Sequence, residues 1–375
     1  MNSSTEKFEP IWVAGFMSGT SIDAVDGALI RTDGVDILEF GPTVERKYSD
    51  GERHVLQTAT QAALDWNWRG PQPEKAFDAA REVIVATHAD AWGSLTEQAG
   101  ERHIELAGVH GQTVLHKRAT SQERGATLQL MDARSLQAAV GVPLTYDFRS
   151  NDVAAGGQGA PLAPAYHQAL LSGLGHEVAA VLNLGGVANI TASLPNGDML
   201  GFDTGPANGP IDEWVEGHDA GTHDVGGALA ARGRVHEGLL AQLLDHPWFD
   251  VPAPKSLDRY DFNASMVRGL SLEDGAATLT AFTAKSVARS LNQLPVIPER
   301  LIACGGGRHN PTLMSMLNEF VPCEVISAEE VGWRGDSIEA EAFAFLAVRT
   351  LRGLPISWPK TTGAPSPMTG GRLQK

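Results

Sequence analysis

The segment Gly201-Phe202-Asp203-Thr204-Gly205-Pro206-Ala207-Asn208-Gly209-Pro210-Ile211-Asp212 sets one carboxylate between an apolar run and a Gly/Pro turn. An apolar-periodic stretch, Ile211 to Val215, follows directly, so the pattern reads as strand, tight turn, helix start. Asp203 then stands at the carboxyl end of a strand, where open α/β sheets hold their ligands. Two roles are open to it: closing the turn through backbone amides, or meeting a ligand at that strand end. Glu339, near the start of the last apolar-periodic helix, either complements the helix dipole or joins Asp203 in holding magnesium, a cation that takes oxygen ligands.

Two small-residue turns occupy equivalent points of the two halves of the chain. One is Met17-Ser18-Gly19-Thr20-Ser21 and the other Leu184-Gly185-Gly186-Val187. Backbone N–H groups at such turns can form anion nests, and the hydroxyls of Ser18, Thr20 and Ser21 add donors, so the pair reads as two clips for one polyphosphate. Plain hairpin turns are the other reading. The run Gly305-Gly306-Gly307 after a buried strand suits either a flat adenine or ribose against bare backbone, or strand-to-helix packing. Neither a P-loop nor a strand-linked dinucleotide fingerprint is present. His110, Gln112 and His116 near a strand end suit a polar substrate or a satisfied core better than a transition metal. Arg149, between Asp147 and Asp152, is a candidate carboxylate fork or a structural ion pair.

The elements that must position these groups follow from periodicity. Ile11–Phe16, Val25–Ile30 and Val35–Phe40 read as a three-stranded meander, and 51–98 is helical in pattern. Leu106–Val109, Leu128–Met131 and Pro143–Tyr146 are further strands, with a helix at Ala133–Val140. Ala154 to Pro161 is the strongest composition break in the first half, and the domain crossing is expected there. Val178–Asn183, Ala188–Ala192 and Met199–Asp203 then repeat the opening meander, with negligible sequence identity to it. Helices at Ile211–Glu216, Gly226–Arg232, Gly238–Leu244, Ala276–Leu291 and from Pro311, strands at Leu301–Cys304 and Cys323–Ser327, and a helix at Ser337–Leu351 complete the pattern.

The 375 residues suffice for about two domains, and 42% hydrophobic content supplies real cores. Against 29 Lys and Arg stand 45 Asp and Glu, and a formal charge of -16 excludes a general affinity for nucleic acid or anionic membranes. Two cysteines, Cys304 and Cys323, are too few for a disulfide framework or a thiolate metal site. The polar start lacks a signal-peptide pattern and no apolar run reaches spanning length, so a cytoplasmic protein is expected.

The segments Gly15 to Asp23, His110 to Thr113, Asp147-Phe148-Arg149, Asp152 to Leu162, Asn183 to Asn189 and Gly201 to Pro206 together closely resemble the anhydro-N-acetylmuramic acid kinases. The resemblance spans about Val13 to Leu351. It implies an α/β, two-lobed actin-like fold of the acetate and sugar kinase, Hsp70 and actin superfamily, with duplicated mixed-sheet domains and an interdomain cleft. On it, 1–155 is the N-terminal lobe, 156–360 the C-terminal lobe and 361–375 a tail.

Carried over to matching positions, the resemblance makes Asp203 the catalytic base and Glu339 a second active-site carboxylate, the two also holding Mg2+. Gly19, Thr20, Ser21, Ile22, Asp23, Ala24, Val25 and Asp26 form the first phosphate loop. Gly185 and Gly186 form the second and Gly305, Gly306 and Gly307 the adenosine motif, with Gly205, Asn208 and Asn310 also binding the cofactor. His110, Gln112, Asp147, Arg149, Gln158, Gly159, Ala160 and Pro161 would bind the sugar. Ala24, Met131-Asp132 and Leu257-Asp258-Arg259 depart from the usual family pattern. The implied activity is ATP-dependent opening and phosphorylation of an anhydro amino sugar in cell-wall recycling, by a homodimer. A levoglucosan-type kinase, a glycosidase using Asp203 and Glu339, and a nucleotide-dependent binding module are the competing readings.

Overall fold

The computed structural model describes residues 8–19, 21–117, 119, 123–175, 178–194, 197–257 and 261–375, so Thr20, Asp258 and Arg259 lie outside the described residues. Two compact units are present. Unit 1 is Met1–Leu170 with Glu339–Pro359 and Gly363–Lys375; unit 2 is Leu171–Ile338 with Lys360–Thr362.

Unit 1 opens with β1 (Ile11–Ser18), β2 (Ala24–Thr32) and β3 (Ile37–Lys47), followed by α1 (Asp50–Trp66) and α2 (Glu74–Ala99). The third strand is longer than the sequence pattern and shifted along the chain, because cross-strand pairing with β2 carries it on to Lys47. After β4 (Ile104–Val109) come β5 (Gln112–Lys117) and β6 (Ala126–Leu130), which pair with each other as a separate ribbon. Then follow α3 (Ala133–Val140), β7 (Leu144–Tyr146), α4 (Ser150–Ala154) and α5 (Pro164–Ser172), the last containing the passage to unit 2. The last two helices and β5 have no counterpart in the periodicity reading.

Unit 2 carries β8 (Ala179–Leu184), β9 (Val187–Ser193), β10 (Met199–Pro206), α6 (Asn208–Glu216), α7 (Ala228–Arg232), α8 (Glu237–Leu244) and α9 (Leu272–Leu291). After these come β11 (Arg300–Cys304), α10 (Pro311–Phe320) and β12 (Glu324–Ser327). The chain ends in α11 (Ile338–Leu351) and β13 (Arg372–Gln374), the latter pairing antiparallel with β7 in unit 1.

The two main sheets have the same topology. Counted within each unit, the strands lie in the order 3-2-1-4-5, as β3-β2-β1-β4-β7 and as β10-β9-β8-β11-β12, with β13 added beyond β7. In both, strands 1 to 3 are antiparallel, whereas 1 with 4 and 4 with 5 are parallel. This is the duplicated mixed-sheet α/β fold of the actin-like class. Strand β8 is buried along nearly its whole length, as expected of a strand covered on both faces.

The unit boundary falls at Leu170/Leu171 rather than at 155/156, since Asp152, Val153, Leu162 and Tyr166 are buried in unit 1. Helix α11, placed in the second half by the sequence reading, belongs to unit 1 from Glu339 onward. Its backbone lies flush on β1 and β4: a Cβ at Gly15 would overlap Ala340 O, and one at Gly108 would overlap Phe343 O. Those two glycines let the helix approach closely. In unit 2, α9 is buried on nearly every side and touches β10, where a Cβ at Gly205 would stand 2.8 Å from Ser286 Cβ. Among the described residues, no helix is long and apolar enough to cross a membrane.

Candidate functional site

Asp203 is the fifth of eight residues in β10, so it lies inside the strand rather than at its end. A register shift between Asp203 and Gly205 bulges the strand there, a device that re-aims side chains beside active sites. The half-buried carboxylate is held by one short segment. Asp203 N donates to Lys255 O at 2.9 Å, and Leu257 N donates to Asp203 Oδ2 at 2.7 Å. The apolar Leu257, a departure from the family pattern, thus contributes through its backbone.

In unit 2, the glycine turn, the start of α6 and the triple glycine come together. Asn208 N donates to Gly185 O at 3.0 Å, while Ala207 N and Gly209 N donate to Gly186 O, each at 3.1 Å. The first N–H groups of α6 are therefore spent on the turn's carbonyls. Asn208 Nδ2 reaches Leu184 O at 3.1 Å. Gly305 (φ +75°) and Gly307 pack against Asn183 and Leu184, which makes them structural spacers. Gly186 and Gly306 differ. Among the described residues, nothing lies within 4 Å of a Cβ built at Gly186, and the nearest atom at Gly306 is Asn208 Nδ2 at 3.9 Å, so both leave bare backbone for a ligand.

Asn310, expected on the cofactor, caps α10 by accepting from Leu313 N at 3.0 Å. Arg308, which sequence reasoning missed, anchors the triple glycine. Its buried guanidinium donates to Gly305 O at 3.0 Å and pairs with Glu329 at 2.8 Å and Asp336 at 2.6 Å.

In unit 1, the first loop is shorter than expected. Ser21 to Asp23 turn, but Ala24, Val25 and Asp26 already belong to β2, with Val25 in the core. Ile22 sits at φ +57°, unusual for a β-branched residue and a sign of strain held by its surroundings. Those surroundings include Tyr48 N donating to Asp23 O at 2.9 Å. A buried side-chain chain completes them: Tyr48 Oη bonds Ser18 Oγ at 2.8 Å, Ser18 Oγ donates to Gln112 Oε1 at 2.6 Å, and Gln112 Nε2 donates to Gly19 O at 3.2 Å. Gln112, expected on the sugar, is thus tied to the first loop. No local pattern singled out Tyr48.

The remaining sugar candidates divide. Arg149 Nε and Nη2 donate to His110 Nε2 at 3.2 and 3.0 Å, and Arg149 Nη1 donates to Gly159 O at 2.7 Å. Since the guanidinium can only donate, His110 is neutral with its proton on Nδ1. Burial, helped by the Arg149 charge, pushes His110 down to about 3. Burial also pushes Arg149 down to about 10, with Glu339 and Asp152 opposing, so Glu339 faces this cluster electrostatically. Buried Asp152 accepts from Gly159 N at 2.7 Å and from Ser357 Oγ, fixing the loop that carries Gln158, Gly159, Ala160 and Pro161. Asp147 is engaged elsewhere, with Ser150 Oγ and with Arg372 Nε at 2.9 Å, a tie to the C-terminal strand. His116 bonds Thr127 Oγ1 at 3.0 Å. Asp132, at another departure from the family pattern, caps α3 through Ser135 N at 3.0 Å.

A sequence model described as anhydro-N-acetylmuramic acid kinase matches residues 11–374. The chain is 54% identical over 365 residues to the anhydro-N-acetylmuramic acid kinase of Caulobacter vibrioides, covering 96% of this chain and 98% of that one. It is 52% identical over 370 residues to the enzyme of that name from Rhizobium rhizogenes, covering 97% and 99%. Among solved structures, component A of the Acidaminococcus fermentans (R)-2-hydroxyglutaryl-CoA dehydratase matches at 12% identity and a TM-score of 0.45, over 91% of this chain and 99% of that one, too distant to bear on function. With half its residues shared over nearly its full length, the chain belongs to the anhydro-N-acetylmuramic acid kinase family.

Proposed function

We propose that this kinase uses ATP and water to convert 1,6-anhydro-N-acetylmuramic acid into N-acetylmuramic acid 6-phosphate and ADP. The observation that carries the reading is the near-full-length identity to kinases named for that sugar. A levoglucosan-type kinase is not favoured by it.

Asp203 takes a proton from water as the water oxygen attacks C1. The C1–O6 bond breaks with oxocarbenium character, as in glycoside hydrolysis. O6 keeps the bonding pair and accepts the γ-phosphoryl group, so no second carboxylic acid is needed to protonate it. One proton is left on Asp203 and passes to solvent. A carboxylate held by the Leu257 N–H suits a base that works on water made acidic by attack.

The bare backbone at Gly186 and Gly306 fits a nucleotide, with Gly185 beside the phosphates and the Gly305–Gly307 turn beside adenosine. Gly19 to Asp23 supplies the corresponding loop of unit 1. Magnesium, for which Asp203 and Glu339 are the carboxylates proposed, would spread the charge of the phosphates when bound. Arg149 fits the lactyl carboxylate. Three of its five N–H groups are used by His110 and Gly159 among the described residues, leaving one on each Nη. A homodimer, a cytoplasmic location and a role in recycling cell-wall fragments belong to the same proposal.

The test is product mass spectrometry after incubation with Mg-ATP and the anhydro sugar in 18O-labelled water, with levoglucosan in parallel. One 18O at C1 of a phosphorylated muramic acid is expected. Ring opening without ATP, or product from levoglucosan alone, overturns the reading. Asp203→Asn should bind nucleotide and lose turnover; retention of about a tenth of the rate sinks the base assignment.

A further inference from the structure

Two arginines flank the start of α1, and their guanidinium groups are in opposite states. Arg46, at the end of β3, is spent: it donates to Glu52 at 2.5 and 2.7 Å, to Asp90 at 3.0 and 3.3 Å and to Lys47 O at 2.8 Å. Arg53 is not. Among the described residues, its Nε is buried without an acceptor, and its only ion pair is with Asp23, whose Oδ1 stands 3.6 Å from Nη2, beyond a good hydrogen bond. A donor left in that condition is costly, which marks the fork as built for an acceptor of another kind.

The backbone carries Arg53 to the first loop. Tyr48 N donates to Asp23 O at 2.9 Å, and Ser49 with Glu52 forms the capping box that sets where α1 begins. Arg53 N closes that turn on Ser49 O at 2.9 Å, so the position of its fork beside Asp23 follows from the cap. The loop itself is short of positive charge: from Val13 to Ile30 the chain has Asp23 and Asp26 but no Lys or Arg. A planar fork with unspent donors matches two phosphoryl oxygens at once.

We propose that Arg53 is a nucleotide-binding residue: its guanidinium donates to oxygens of the terminal phosphoryl group of ATP held at the first loop, and steadies the charge on them as that group passes to O6. The inference rests on the reading of Gly19 to Asp23 as a phosphate loop. A merely structural Arg53 would brace the loop through Asp23 and serve every nucleotide alike; a phosphoryl ligand distinguishes a triphosphate from a diphosphate.

The test compares Arg53→Gln, Arg53→Lys and Ser21→Glu in the full chain with Mg2+, reading calorimetric Kd for ADP and for the β,γ-imido analogue of ATP, together with kcat and KM for the sugar. Arg53→Gln should weaken the analogue about tenfold, leave ADP within about twofold and lower kcat about 100-fold, with KM for the sugar unchanged. Equal losses for ADP and the analogue overturn the proposal, and so does an analogue Kd within about twofold of the parent. If Arg53→Gln does not fold, Arg53→Lys carries the test, because it keeps the charge and loses the fork. About a threefold loss confined to the analogue is then expected, and a loss shared with ADP overturns it. Ser21→Glu places a negative charge in the exposed part of the loop and should weaken the analogue more than tenfold. If it leaves the analogue unaffected, the loop is no phosphate site, and the proposal falls with that reading whatever Arg53 does.

Discussion

The glycine turn of unit 1 and that of unit 2 occupy the same place in the same strand order, yet they are held by different means. Gly19 rests on buried side chains: Ser18, Gln112 and Tyr48 form a hydrogen-bonded chain that ends on its carbonyl. Gly185-Gly186 rests on backbone, through the first amides of α6 and the close packing of Gly305 and Gly307. The contrast extends to the histidines of the two units. Unit 1 buries His88, His110 and His167, whereas the described histidines of unit 2 are exposed. A polar side-chain support can be retuned by one substitution and is sensitive to protonation, but a backbone support fails only where a glycine cannot be replaced.

Acid offers the largest expected break in the comparison. Burial holds His88 down to about 4, and His110 and His167 down to about 3, so the fold resists the protons that the unfolded chain takes up below about 6.5. Their contribution is complete above about pH 6.5 and is lost as pH falls toward 3 to 4. At pH 5 the loss is about 2 kcal/mol for each histidine. Hydrogen exchange at pH 5 and 7, corrected for intrinsic rates, should show unit 1 peptides losing protection before those of unit 2. Equal loss would mean that the side-chain support carries no special sensitivity.

Gly305→Ala should come next. It places a Cβ at φ +75° and 2.9 Å from Leu184 O. A cost of about 2 kcal/mol and a rise of about tenfold in KM for ATP are expected, with KM for the sugar unchanged. Steady-state kinetics decide it, and a neutral result would mean that the unit 2 turn is not backbone-limited.

Gln112→Leu should have the smaller effect. It leaves Ser18 Oγ and Gly19 O short of partners, at a cost of about 1 to 2 kcal/mol in melting experiments and about fivefold in KM for ATP. A shift in sugar KM instead would return Gln112 to the role that its neighbour His110 suggested.

The amino-acid sequence by itself determined both meanders, the helices of strong period, the placement of Asp203 on a strand before α6, and the family. These are local matters: apolar period sets strand or helix, and Gly and Pro set the turns, within a few residues of one another. Only the tertiary structure decided that Asp203 lies beside a bulge, that α11 belongs to unit 1, that Asp147 meets Arg372 and that Asn310 caps α10. Tyr48, Arg308 and Lys255 were invisible for one reason. Tyr48 meets Ser18, Arg308 meets Asp336, and the Lys255 carbonyl meets the Asp203 amide only after the chain has folded between them. A buried polar group takes whichever partner the packed backbone brings within reach, and composition and spacing carry no record of that choice.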